Sequence, residues 1–152
     1  MAARAYTIKG LNRALRQLPK EAAGQLRDAS VVIASRVADD ARSRAVRGSG
    51  AAHLVAPSIK ATRDRVPAVR QGSSRKLPPR HGRARGKGRQ TIGDLTFGAE
   101  FGGGARSSTR QFLPWRGSSA AAGYFLYPAV RDNAAATGEA YSAALDAALQ
   151  AI

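Results

Sequence analysis

The apolar positions of this chain follow a helical period at both ends and a shorter one in the middle. Leu11, Leu15 and Leu18 recur at i, i+4 and i+7, which predicts a short helix beginning near Gly10. Pro19 interrupts that stripe, but proline is tolerated in a first helical turn, so a second, long helix can start there. Its apolar line runs Leu26, Ala29, Ile33, Val37, Ala41 and Ala45, and Gly48 supplies the stop. Arg27, Asp28, Arg36, Asp39, Asp40 and Arg42 fall on the other, solvated face. At the far end, Asp132 is placed to N-cap a helix carrying Tyr141, Leu145, Leu149 and Ile152 on one side. Gly138 within it costs about 1 kcal/mol relative to alanine, so that helix needs tertiary support.

Between the helices the pattern suits pleated structure. His53 to Thr62 reads as a strand, with Pro57 placing it at an edge or a bulge. Arg63-Asp64-Arg65 forms a turn into a short partner strand over Val66 to Gln71. Thr91 to Phe101 alternates like a strand, with Ile92, Leu95 and Phe97 as core positions and Gly102-Gly103-Gly104 as a break. Gln111 to Trp115 and Tyr124 to Pro128 are two further apolar pieces around a small-residue loop. The expected fold is α+β: N-terminal helices, one of them long, an antiparallel β-sheet with a long basic loop, and a C-terminal amphipathic helix. At 152 residues one core and a single domain over residues 1–152 are expected, burying about 68–70% of the unfolded surface.

Composition sharpens two points. Seven of the nine aromatic residues lie between Phe97 and Tyr127, which predicts the heaviest packing there. The formal charge is +15, so the chain expects a polyanionic or acidic partner. Residues 72–90, GSSRKLPPRHGRARGKGRQ, have no periodicity and read as a flexible basic loop or arm. From Arg63 to Arg89 there are ten basic residues against one acid, Asp64; Arg75, Lys76, Arg80, Arg83, Arg85, Lys87 and Arg89 are the candidate contacts to nucleic acid or to a partner. No aromatic residue interleaves them, so contact with a nucleic-acid backbone is expected rather than sequence reading. An acidic patch on a neighbouring subunit is the equal alternative.

Candidate chemistry is sparse. There is no cysteine, and the two histidines, His53 and His81, have neither a partner nor metal-binding spacing, so no catalytic residue, metal or cofactor is expected. GRARGKGRQT fails as a phosphate-binding P-loop, because three residues separate Gly82 from Gly86 and Gly88 stands where Ser or Thr must bind magnesium. The start MAARAYTIKG lacks a signal-peptide core, and no apolar run of membrane-spanning length occurs, so no membrane partner is expected.

AEFG at 99–102, RQFLPWRG at 110–117 and GYFLYPAVRD at 123–132, followed by an amphipathic helix, resemble the head-tail joining and tail-completion proteins of long-tailed bacteriophages, a group that includes proteins similar to minor tail protein Z. IKGLNRALRQLP ahead of a long alanine-rich helix, and LVAPSIKA after it, agree with the resemblance. It implies that Glu100, Phe101 and Gly102 form a strand-to-loop corner. It makes Phe112, Pro114, Trp115, Arg116, Gly117, Tyr124, Phe125 and Pro128 a motif and packing anchor before the last helix. It further implies a non-enzymatic virion protein of the neck, assembled in the host cytoplasm into a homo-oligomeric ring, expected as a hexamer. Its neighbours would be the portal adaptor, the stopper, the tail terminator and the tail tube protein, with genomic DNA passing through the ring. The competing class is a non-specific nucleic-acid-binding protein acting through the basic loop. A lysin or nuclease is the least supported, since no paired carboxylates can be assembled from the spacing.

Overall fold

One long helix organises this computed structural model, which describes residues 18–48, 50–77, 90–103, 112–117 and 121–150, with Gly10, Arg13 and Arg16 as helical positions before them. Helix α1 (Lys20–Val46) starts where Pro19 turns from extended backbone, its carbonyl accepting from the Ala23 amide at 2.9 Å. At a rise of 1.5 Å per residue it is about 40 Å long. Its buried side includes Leu26 and Val37 but is mostly small: Ala22, Ala23, Ser30, Ala34, Ala38, Ala41 and Ala45. Small side chains let neighbouring elements approach the helix closely. The expected line through Leu26, Val37, Ala41 and Ala45 is buried, whereas Ala29 and Ile33 lie half-buried at its margin.

The segment expected as one strand over His53 to Thr62 is mostly helical. Helix α2 (Gly50–Val55) and a 3-10 turn (Ala56–Ser58) come first, and only β1 (Lys60–Thr62) is extended. Ala51, Ala52 and Val55 point inward at helical spacing, and Pro57 sits in the first turn of the 3-10 segment, where its missing N–H leaves nothing unpaired. Strand β2 (Ala68–Arg70) pairs antiparallel with β1 in the register Lys60↔Arg70, Ala61↔Val69, Thr62↔Ala68. This hairpin around residues 63–67 is the sheet that the described residues form. Helices plus one small antiparallel sheet make the fold a mixed α+β one.

Thr91 to Phe101 is also a helix rather than a strand. Helix α3 (Ile92–Phe101) opens with a capping box: Thr91 Oγ1 accepts from the Asp94 amide, and the Asp94 carboxylate accepts from the Thr91 amide at 2.8 Å. Ile92, Leu95 and Ala99 turn inward together, while Phe97, expected in the core, is 62% exposed. The chain ends with α4 (Leu126–Asp132) and α5 (Ala134–Gln150). Asp132 does not cap α5: it closes α4, and its carboxylate meets Arg44 of α1 at 2.8 Å. Arg44 also pairs with Asp40, and Asn133 Nδ2 donates to Asp40 at 3.0 Å, so the α4–α5 corner is tied to α1 by four side chains.

Two apolar clusters result. The larger joins Val37, Ala41 and Ala45 of α1 to Val55, Ile59, Leu77, Leu95, Phe125 and Ala129. The smaller joins Ala22 and Leu26 to Leu145 and Ala148 of α5, with Leu18 and Tyr141 beside them. The basic segment begins inside this framework: Leu77 is buried, its amide donates to Gln90 O, and the Ile92 amide donates to Arg75 O. Residues 72–77 and 90 are therefore built into the fold, while 78–89 lie outside the described residues. Among the described residues no helix is long and apolar enough to cross a membrane.

Candidate interaction surface

The C-terminal end of α3, residues 112–117 and the start of α4 form one platform, and a buried carboxylate holds it together. Glu100 is wholly buried in the last turn of α3. Its Oε2 accepts from the Leu126 amide and its Oε1 from the Tyr127 amide, each at 2.9 Å. These are orphan donors of the first turn of α4, so Glu100 caps a helix that starts 26 residues later. Burial pushes the Glu100 carboxyl above its ordinary value, and the amides of Tyr127 and Leu126 pull it back in part. Gly123, at φ +82°, lies against this carboxylate, leaving no room for a Cβ.

The expected strand-to-loop corner at Glu100, Phe101 and Gly102 is thus a helix C-terminus. Gly102 adopts φ +84° as the C-cap, its amide donating to Gly98 O, and the carbonyls of Leu113 and Pro114 pack against its Cα. Gly103 bridges to Pro114, and the Arg116 amide donates to Phe101 O at 2.7 Å. The Gly123 amide then donates to Arg116 O at 3.0 Å, so three separated segments share one backbone network. Phe112, partly buried, lies on Gly98, where a Cβ would stand 2.7 Å from its ring.

The aromatic residues do not supply the heaviest packing, as the sequence suggested. Phe125 alone of those described is fully buried. Phe97, Trp115 and Tyr127 are each half or more exposed, and with Phe101 they make a surface cluster. Phe101 stands 5.0 Å from Phe97, 5.0 Å from Tyr127 and 6.2 Å from Trp115, and Phe97 stands 5.8 Å from Trp115. The Trp115 ring lies against Gly117, where a Cβ would have no room, and stays half exposed. Beside the cluster, the Tyr124 hydroxyl donates to Pro114 O at 2.7 Å, and the Arg116 guanidinium sits 5.2 Å above the Tyr124 ring. Pro128 is half-buried in the first turn of α4. Tyr127 also borders an apolar hollow of about 240 Å³ between α1, the hairpin and α4, reached by Val37, Val69 and the exposed Val130. The aromatic cluster and this hollow meet at Tyr127.

Exposed rings in a fixed array, flanked by arginine, match the composition of protein-binding hot spots. The motif residues 100–102, 112, 114–117, 124, 125 and 128 are therefore brought together. Their grouping is legible in the sequence, but the outward face of Phe97 and Trp115 is not. Of the basic candidates, Arg75 and Lys76 are exposed on the wall of a separate groove, whereas Arg80, Arg83, Arg85, Lys87 and Arg89 lie outside the described residues. Among the described residues no three His, Asp or Glu side chains are grouped to hold a metal ion. The chain matches no known protein family, curated protein or solved structure with which it was compared.

Proposed function

We propose that this chain is a structural subunit of the head-to-tail connector of a long-tailed bacteriophage, assembling as a ring around the DNA channel and acting without catalysis. The observation that carries the reading is the exposed aromatic array of Phe97, Phe101, Trp115 and Tyr127, clamped on a platform by the buried Glu100. A monomer with no partner gains nothing from holding three large rings in water, whereas an assembling subunit needs rigid apolar anchors. The motifs at 99–102, 110–117 and 123–132 that resemble neck proteins form or flank this platform, which supports the same reading. In it the protein resides at the head-tail junction of the virion, after assembly in the host cytoplasm. Its neighbours are further copies of itself, other neck proteins and the tail tube.

Negative-stain images and sedimentation of the purified protein, alone and with tail tubes, test the proposal. Rings or decorated tube ends are expected. A protein that stays monomeric and leaves tubes bare would sink it. The second reading, a free-standing non-specific nucleic-acid-binding protein, is favoured by the +15 charge and differs by requiring no ring.

A further inference from the structure

The hairpin sets two like charges face to face. Lys60 and Arg70 are direct partners in the antiparallel register, so both side chains leave the same face, with Cβ atoms about 4.5–5.5 Å apart. That arrangement opposes strand pairing, and neither residue has an ion pair among the described residues. Both line a hollow of about 320 Å³ that also receives Arg75 and Ser73. The Ser73 hydroxyl accepts from the Arg75 amide, which leaves its own proton free to donate. A second hollow, of about 440 Å³, shares Pro57, Arg75 and Ile92 with the first and is also walled by Lys76 and His53. Lys60, Arg70, Arg75 and Lys76 therefore line two adjoining hollows, which together make one basic groove.

No Asp or Glu is among the described residues that line either hollow. The carboxylates of the hairpin turn and the elements beside it have other partners: Asp64 accepts from the Arg65 amide, Asp28 pairs with Arg63, Asp39 with Arg42, and Asp94 sits in its helix cap. We propose that this groove seats the phosphodiester backbone of a nucleic acid, with Lys60 and Arg70 flanking a phosphate and Arg75 and Lys76 continuing the track. An anion between Lys60 and Arg70 converts their repulsion into two attractions. A nucleic acid fits better than an acidic protein because no Phe, Tyr or Trp is among the described residues that line the groove, and protein anchors of that kind are gathered on the aromatic platform instead. The elongated row of cations suits a polymer better than a single phosphate. The site does not depend on ring assembly and holds under either functional reading.

Binding of a short fluorescent DNA duplex to the full chain, measured across a salt series, tests the site. Lys60→Gln with Arg70→Gln is expected to weaken binding roughly tenfold or more and to flatten the slope of log K against log salt by about 2, near 0.9 per lost phosphate contact. Arg27→Gln with Arg36→Gln, on the solvated face of α1, removes the same charge and is expected to leave the slope unchanged. Exchanging the cations, Lys60→Arg with Arg70→Lys, is expected to retain the parental slope, and circular dichroism confirms that each variant is folded. An unchanged slope in the Lys60/Arg70 double variant overturns the proposal, as does an equal loss in the Arg27/Arg36 control. Two competitors at matched ionic strength fix the ligand. Displacement by inorganic phosphate as effective per phosphate as by DNA would reassign the groove to a small anion. Displacement by polyglutamate that depends on Lys60 and Arg70 would reassign it to an acidic protein.

Discussion

Glu100 shows how much one side chain can organise. Two backbone amides depend on its oxygens, and an unsatisfied buried donor costs about 1–3 kcal/mol, so Glu100→Ala should lower unfolding stability by at least about 2 kcal/mol in urea titrations. The sign of its pH effect follows from burial. The folded carboxyl keeps its proton to higher pH than the unfolded one, so its contribution is full below the ordinary value of 4.5 and is lost as pH rises through the folded value. Glu100→Gln, which cannot ionise, is expected to flatten that part of the stability profile while weakening the cap. Tyr141 offers a contrast: its hydroxyl is buried without a partner among the described residues, so Tyr141→Phe should be neutral or slightly stabilising by thermal denaturation. None of this is legible in the sequence. AEFG marks Glu100 as noteworthy, but its acceptors' partners come 26 residues later, and no local pattern reports a contact across that gap.

Elements were legible where their signals are local and long. The stripe of α1 and the amphipathic side of α5 follow a helical repeat over many turns, so both are found from spacing alone. Helix α3 is hard to tell from a strand in the sequence because Leu95 and Phe97 alternate within a segment too short to show a helical repeat, although the T-x-x-D capping box at Thr91 and Asp94 is a local helix signal. The α1 stripe carries a further consequence. Ala38 is 1% exposed, so Ala38→Leu must overpack the interface and should cost about 1–3 kcal/mol. Gly24 lies in the same helix with open space around its missing Cβ, and Gly24→Ala should add about 0.5–1 kcal/mol. At the α1–α4 corner, the Arg44 guanidinium hydrogen-bonded to Asp40 holds that carboxyl below its ordinary 3.8. The stabilisation is present above that value and is lost as pH falls through the folded value, opposite in sign to Glu100. Acid titration of Asp40→Asn should therefore lose a low-pH transition that the parent retains.

For the whole molecule, the two proposals divide the work between two surfaces: aromatic rings for protein, cations for phosphate. Trp115→Ala with Phe97→Ser should cost about 1–3 kcal/mol through the lost ring contacts, which leaves the chain folded, yet abolish ring formation in sedimentation. The division was half visible from composition, which located the charge and the rings but not their facing. Charge density in the sequence is highest over residues 63–89, whereas Lys60 and Arg70 become a pair only once the strands are registered. The separate apolar cluster around Leu26 and Leu145 has a kinetic meaning. It lies at one end of a helix about 40 Å long, beyond the larger cluster, and shares no described residue with it. Opening there need not disturb the rest, so amides near Leu26 and Leu145 should take up deuterium well before those near Ala41. The seam between α1 and α5 would then open as a unit of its own, leaving the remaining body closed.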